Sequence, residues 1–169
     1  MDHRVVVAQH VSRMCLVCGR SNAAGLHASF YELDNGELVG VAVARHEHQG
    51  YPGRLHGGMA SALLDETIGR AIGITQPEVW GVTVELNVRF RKPVPLGQEL
   101  RAVGRITKDS SRLFEGTGEL LLPDDTVAVE ARGKYMKLPL AAIAGEDLDD
   151  TQWFADEEPS PAAVQLPEQ

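Results

Sequence analysis

Between residues 81 and 90 apolar and polar side chains alternate without a break. Val82, Val84, Leu86, Val88 and Phe90 fall on one parity; Thr83, Glu85, Asn87 and Arg89 fall on the other. A period of two marks a strand with one buried face, and it predicts a long strand over 81–90. Similar apolar runs occupy 26–33, 37–44, 99–108, 112–122 and 126–138. The first two flank Asp34-Asn35-Gly36, and Asn-Gly between apolar runs predicts a hairpin turn. Residues 45–53 read as a loop, with Gly50, Pro52 and Gly53 as punctuation. The stretch 57–73 differs: Ala60, Leu64, Ile68 and Ala71 recur at helical spacing, and Pro77 cannot continue a helix. Residues 3–14 fit a short helix or an irregular arm equally well.

The order is therefore two strands, one long helix and four strands on short connections. Consecutive strands argue for an antiparallel sheet and an α+β class. The sheet has one apolar face, and a single helix is long enough to cover it. The expected architecture is a curved antiparallel β-sheet wrapped around one long central α-helix. Its 169 residues suit one domain, parsed as an N-terminal arm (1–14), a folded domain (15–140) and an acidic tail (141–169). Aromatic residues are only 5% of the chain, so Val, Leu, Ile and Ala must fill the core.

Charge changes the picture at one end. The formal net charge is -8, and residues 146–169 hold eight acids with no Lys or Arg after Lys137. The remaining body is neutral and offers no electrostatic footprint for nucleic acid. The tail is rich in Pro and poor in periodic apolar residues. It is expected to be disordered beyond about residue 155, with Trp153 and Phe154 as candidates to dock on the body. No run approaches the roughly 18 apolar residues of a membrane span. The N-terminus has too short an apolar core for a signal peptide, so the expected location is cytoplasmic. Cys15 and Cys18 read first as reduced structural or incidental thiols; a redox pair would want a neighbouring strand–helix unit where a hairpin follows, and as thiolates they supply half of a metal site. His3, His10 and His27 are possible completions, but no second ligand pair follows, so no metal ligands are assigned.

The helix carries the candidate chemistry. Gly58, Ala62, Asp65 and Gly69 share one stripe at about 100° per residue. Glu66 and Arg70 lie on the far side, four apart, placed to pair and face solvent. Glycine inside a helix costs about 1 kcal/mol relative to alanine. Either a close backbone, a ligand or a dimer contact must explain the stripe. At the helix entrance, His56-Gly57-Gly58 places glycines where backbone N–H groups lack partners and the helix dipole adds positive charge. Such donors can hold a developing oxyanion. A carboxylate two turns further on can attack a carbonyl or activate water, which together suits acyl transfer.

The segment LHGGMASALLDETIGRA resembles the signature of hotdog-fold thioesterases of the phenylacetic-acid-degradation type, related to 4-hydroxybenzoyl-CoA thioesterase. The shared pattern is His56-Gly57-Gly58, six residues, then Asp65. The segments 15–26, 50–58 and 81–100 are similar too, and the resemblance spans about residues 15–138. It implies the hotdog fold, homodimers joined edge to edge, dimers of dimers, and active sites at the dimer interface. It implies an acyl-CoA substrate cleaved without metal or organic cofactor. Asp65 matches the nucleophile or general base, and Gly57 or Gly58 the oxyanion donor. Thr83 matches a water-holding hydroxyl that comes from the other subunit. Relatives carry Asn or Gln six residues before the histidine. Here that position is Gly50, and Gln49 beside it is the substrate-binding candidate. Arg89, Arg91 and Lys92 are candidates for the CoA phosphates. The alternative functions are a non-catalytic acyl-CoA-binding module and a hotdog hydratase.

Overall fold

The computed structural model describes residues 1–149 and 151–168. In chain order it contains β1 (Asp2–Ala8), β2 (Val11–Ser12), β3 (Ser29–Leu33), β4 (Leu38–Val43), α1 (Gly57–Arg70), β5 (Trp80–Phe90), β6 (Glu99–Asp109), β7 (Leu113–Leu121), β8 (Val127–Leu138), α2 (Leu140–Ala144), β9 (Trp153–Phe154) and β10 (Ala163–Gln165). Eight strands form one antiparallel sheet in the order β10-β1-β3-β4-β6-β7-β8-β5. Strands β2 and β9 pair separately. The helix α1 lies against the sheet and buries Ala60, Leu63, Leu64, Thr67 and Ile68. This is the hotdog arrangement.

The close approach of α1 to the sheet has a local cause. A Cβ placed at Gly116 or Gly118 would stand 2.6 or 2.9 Å from the side chain of Ile68. Glycine at these two strand positions lets the helix nest into the middle of the sheet. The buried hydroxyl of Thr67 is satisfied within α1 by donating to Leu63 O at 2.7 Å.

Three expectations are corrected. Residues 2–8 and 11–12 are strands, not a helix or irregular arm, because the edge of β3 leaves backbone groups to pair with β1. Glu66 and Arg70 do pair, at 2.8 Å, but they do not face solvent: the Arg70 side chain is only 6% exposed. Its guanidinium sits over the rings of Phe30 and Trp153, 4.3 and 4.7 Å from their centroids, and donates to His10 O.

The third correction concerns the tail, which runs along the body well beyond residue 155. Trp153 and Phe154 pair with β2, and β10 extends the main sheet beside β1. Val164 and Leu166 are buried with Tyr31, Val39, Val103 and Leu121 on the outer face of the sheet. Composition averaged over the tail conceals these few apolar anchors.

Asp156 is a further anchor. Its side chain, 6% exposed, pairs with Arg20 and accepts from Ser29 Oγ at 2.8 Å. Burial alone would raise its pKa, but the hydrogen bonds from Arg20 and Ser29 outweigh this and hold it below the ordinary carboxylate value. A depressed folded-state pKa contributes stability above the unfolded-state value, lost as pH falls through the folded one. Asp156→Asn is expected to destabilise the protein by about 1–3 kcal/mol at neutral pH. Denaturant melts of both proteins should show this gap shrinking below about pH 4; a gap unchanged at low pH would exclude the charge as its origin.

Candidate active site

Asp65 lies midway along α1, half-buried, on the face turned toward β5 and β8. Thr83 Oγ1 is 3.0 Å from both carboxylate oxygens, placed to donate to either. Tyr135 Oη donates to Oδ1 and to the Asp65 carbonyl oxygen, at 3.1 Å each. Among the described residues no cation pairs with Asp65. Burial raises its pKa, the Thr83 and Tyr135 hydrogen bonds oppose the rise, and neighbouring Glu66 adds to it. The Tyr135 phenol is pushed up by burial and by the adjacent Asp65 charge, so it stays a proton donor to the carboxylate.

Thr83 reaches this position through a β-bulge. On β5, Thr83 stands opposite Tyr135 and Glu85 opposite Lys134, leaving Val84 as the extra residue. An unbroken ladder would place Thr83 and Leu86 on opposite faces. The extra residue shifts the parity, so both face the helix. The strict alternation of the sequence, which turned Thr83 outward and Val84 inward, is corrected accordingly. Thr83 and Asp65 also belong to one chain here, whereas the resemblance drew the hydroxyl from the other subunit.

The small-residue stripe has two explanations. At Gly69 a Cβ would stand 3.2 Å from the Tyr135 ring, so the glycine admits the phenol that holds Asp65. At Gly58 it would stand 3.0 Å from His56 Nδ1. That nitrogen caps the helix by accepting from the Gly58 amide at 2.9 Å. The amides of Met59 and Ala60 donate to His56 O. The Gly57 N–H finds no acceptor among the described residues. Of the two oxyanion candidates, the free donor is therefore Gly57, while Gly58 is committed to the cap and His56 is the capping residue.

Asp65, Thr83 and Tyr135 border a cavity of about 540 Å³, also lined by Trp80, Ile143 and Trp153. Gln49 sits in the entrance loop, where its side-chain oxygen accepts from the Gly53 amide at 2.7 Å. Arg89, Arg91 and Lys92 are exposed at the far end of β5, near the start of α1 rather than near Asp65. Phe90 beside them packs on Gly57, and Arg91 pairs with Glu130 at 2.9 Å. Tyr135 was not singled out from the sequence. Its signal was parity: it alternates with Ala131 and Gly133 on the helix-facing side of β8, and a buried phenol requires a partner.

A curved antiparallel sheet wrapped around one central helix defines a hotdog protein. The chain belongs to the thioesterase superfamily. The family profile of that description matches residues 52–129, which include His56, Gly57, Asp65 and Thr83. Mouse acyl-coenzyme A thioesterase 13 is 30% identical over 101 residues, covering 60% of this chain and 71% of that protein. A crystallised thioesterase superfamily protein is 28% identical with a TM-score of 0.67, covering 75% of this chain and 61% of that one. The PaaI protein of the Escherichia coli phenylacetic acid degradation operon shares the fold, with a TM-score of 0.61 at 18% identity, over 67% of this chain and 80% of that one. The chain spans 46%, 36% and 56% of the lengths of curated relatives from Caenorhabditis elegans, Bos taurus and Pongo abelii. Among the described residues no helix is long and apolar enough to cross a membrane.

Proposed function

We propose that the protein is an acyl-CoA thioesterase working as a homodimer, in which each active site combines Asp65 of one chain with the Gly57 amide of a second copy. The observation that carries this reading is the Asp65 carboxylate, held by Thr83 and Tyr135 and open to a cavity. The Gly57 amide polarises the thioester carbonyl. Asp65 attacks the carbonyl carbon or takes a proton from the water that does. The tetrahedral oxyanion collapses, the carbon–sulfur bond breaks and the thiolate leaves; where water attacked, Asp65 returns its proton to the thiolate, and where Asp65 attacked, water then cleaves the acyl–Asp65 anhydride to release the acid.

The spacing along the helix supports the two-copy site. Gly57 and Asp65 are eight residues apart, about 12 Å along a helix rising 1.5 Å per residue. A single carbonyl group cannot lie about 3 Å from both. The edge strand β5 offers a pairing surface, with Val84 and Phe90 each more than half exposed. Dimers of dimers follow the resemblance. Arg89, Arg91 and Lys92 lie at the Gly57 end of the site and suit the CoA phosphates, and the Gln49 side-chain amide supports the bound carbonyl. The free thiols of Cys15 and Cys18 fit a reducing cytoplasmic setting.

Steady-state thiol release across a panel of acyl-CoA esters tests the activity. Turnover is expected. Binding without turnover would instead favour a sensing module, and hydration of an enoyl-CoA would favour a hydratase. Thr83→Ala is expected to lower kcat roughly 10- to 100-fold, the worth of a hydrogen bond to a charged group. Thr83→Ser, which keeps a hydroxyl, should restore most of it. Equal rates for the two variants would remove Thr83 from the mechanism.

A further inference from the structure

On the side of α1 away from Thr83, Glu66 faces the Cys-x-x-Cys loop. Ser12 Oγ accepts from the amides of Met14 and Cys15, at 3.2 and 3.0 Å, and the Gly19 amide donates to Cys15 O at 2.9 Å. A Cβ at Gly19 would stand 2.3 Å from that oxygen, so only glycine permits the closure. The closed loop gives each sulfur a backbone donor. The Val17 amide donates to Cys15 Sγ at 3.3 Å, and the Ser12 amide to Cys18 Sγ at 3.4 Å. Amide donors aimed at sulfur favour a sulfur that bears negative charge.

The fold then adds what the sequence spacing lacked. Cys15 Sγ, Cys18 Sγ and a Glu66 carboxylate oxygen lie within 4.8 Å of one another. Metal–sulfur and metal–oxygen bonds of about 2.3 and 2.0–2.2 Å in a tetrahedral site put these donors roughly 3.5–3.8 Å apart, so shifts of about an ångström close the set around an ion. The Cys15 thiol now donates to Glu66 Oε2 at 3.1 Å; an ion in place of the thiol protons would hold the same groups. Charge also balances. Two thiolates and one carboxylate oppose a divalent cation and the Arg70 guanidinium, whose Nη2 is 2.8 Å from Glu66 Oε1 and 3.1 Å from Cys18 Sγ.

We propose that Cys15, Cys18 and Glu66 form a binding site for a thiophilic divalent cation, best matched by zinc. Arg70 donates hydrogen bonds to its ligands from outside, and the fourth position opens toward the cavity that Cys15 and Glu66 help to line. Uptake is a proton exchange: two thiol protons pass to solvent, two metal–sulfur bonds and one metal–oxygen bond form, and no electron moves. The ion pins the N-terminal loop to α1 one residue from Asp65. Its role is structural, and it holds whether or not the chain hydrolyses thioesters.

The test is a titration of the full-length reduced chain with zinc under inert gas, followed by gel filtration and elemental analysis. Cobalt replaces zinc as the spectroscopic probe. One equivalent of zinc per chain, a raised melting temperature and a sulfur-to-cobalt charge-transfer band are expected. Glu66→Gln should weaken zinc binding by at least about 10- to 100-fold, the cost of losing even a group that only supports a ligand, and Cys15→Ser or Cys18→Ser should abolish the cobalt band. The proposal is overturned if the wild-type chain retains no zinc above buffer. It is equally overturned if zinc stays bound in the double serine variant, or if zinc-saturated protein still loses two mass units on air exposure as the thiols close into a disulfide. The wild-type titration needs no variant to fold.

Discussion

Asp65→Asn is expected to lower kcat for acyl-CoA hydrolysis by at least about 10²-fold, the scale of an essential acid–base group, while substrate binding persists. Asparagine keeps the shape and can still accept from Thr83 and Tyr135, so the change removes charge and basicity and little else. The folded protein should not suffer. Burial raises the Asp65 pKa despite those two hydrogen bonds, so at neutral pH the ionised carboxylate is a cost to the folded state. A group whose folded pKa is raised contributes stability only where it is protonated. The variant's melting temperature should therefore equal or slightly exceed that of the wild type, as expected where function and stability compete. Steady-state kinetics and a thermal melt on the same preparation check both halves. Turnover within threefold of wild type would show that Asp65 neither attacks nor takes the proton. A collapse in stability would mean that the carboxylate is a structural element.

The elements were legible where a period persists. The alternating strands and the helix 57–73 stand close to where their patterns put them, because burying one face of a strand or helix is a local demand. The positions of Asp65 and Gly57 in the candidate site stood out too, since an acid and glycines in a helix break a pattern that propensity alone would keep. Thr83 was misplaced in space, although its residue type was noticed. A bulge at Val84 is a one-residue event inside a ladder, and strict alternation gives no sign of it. The hairpin and cap were local, but the tail was not. Asp156 finds Arg20, 136 residues away in sequence, and Leu166 joins Tyr31 on the outer face of the sheet. Contacts of that separation leave no periodic trace. The same holds for Glu66 beside Cys15: loop spacing reveals a pair of sulfurs, whereas a ligand from a distant helix appears only once the chain has folded.

Gly57→Pro is expected to lower kcat about 10²–10³-fold, the effect of removing one oxyanion donor, and its partnership with Asp65→Asn tests the two-chain site. Proline at the first helical position deletes an N–H that has no intrahelical acceptor and has a backbone angle suited to a helix start. His56 precedes it at φ -63° and ψ 135°, in the extended region that proline requires of its predecessor. The added ring meets Phe90, which is more than half exposed and free to shift. Helix and fold should therefore survive, which a circular dichroism spectrum verifies, and Gly57→Ala, which keeps the N–H, should remain active. Each of the two variants alone spoils both sites of its homodimer. In a mixed dimer, one site receives both substitutions and the other receives neither. Random assortment makes half the dimers mixed, so co-expression in equal amounts should recover about a quarter of wild-type activity from two nearly inactive chains, as symmetry of a twofold interface requires. Recovery no greater than the average of the two variants would mean that the amide and the carboxylate do not meet on one carbonyl across the interface. Within a chain the two positions are eight residues apart, about 12 Å of helix rise, which is why the proposed site brings the amide and the carboxylate together from two copies.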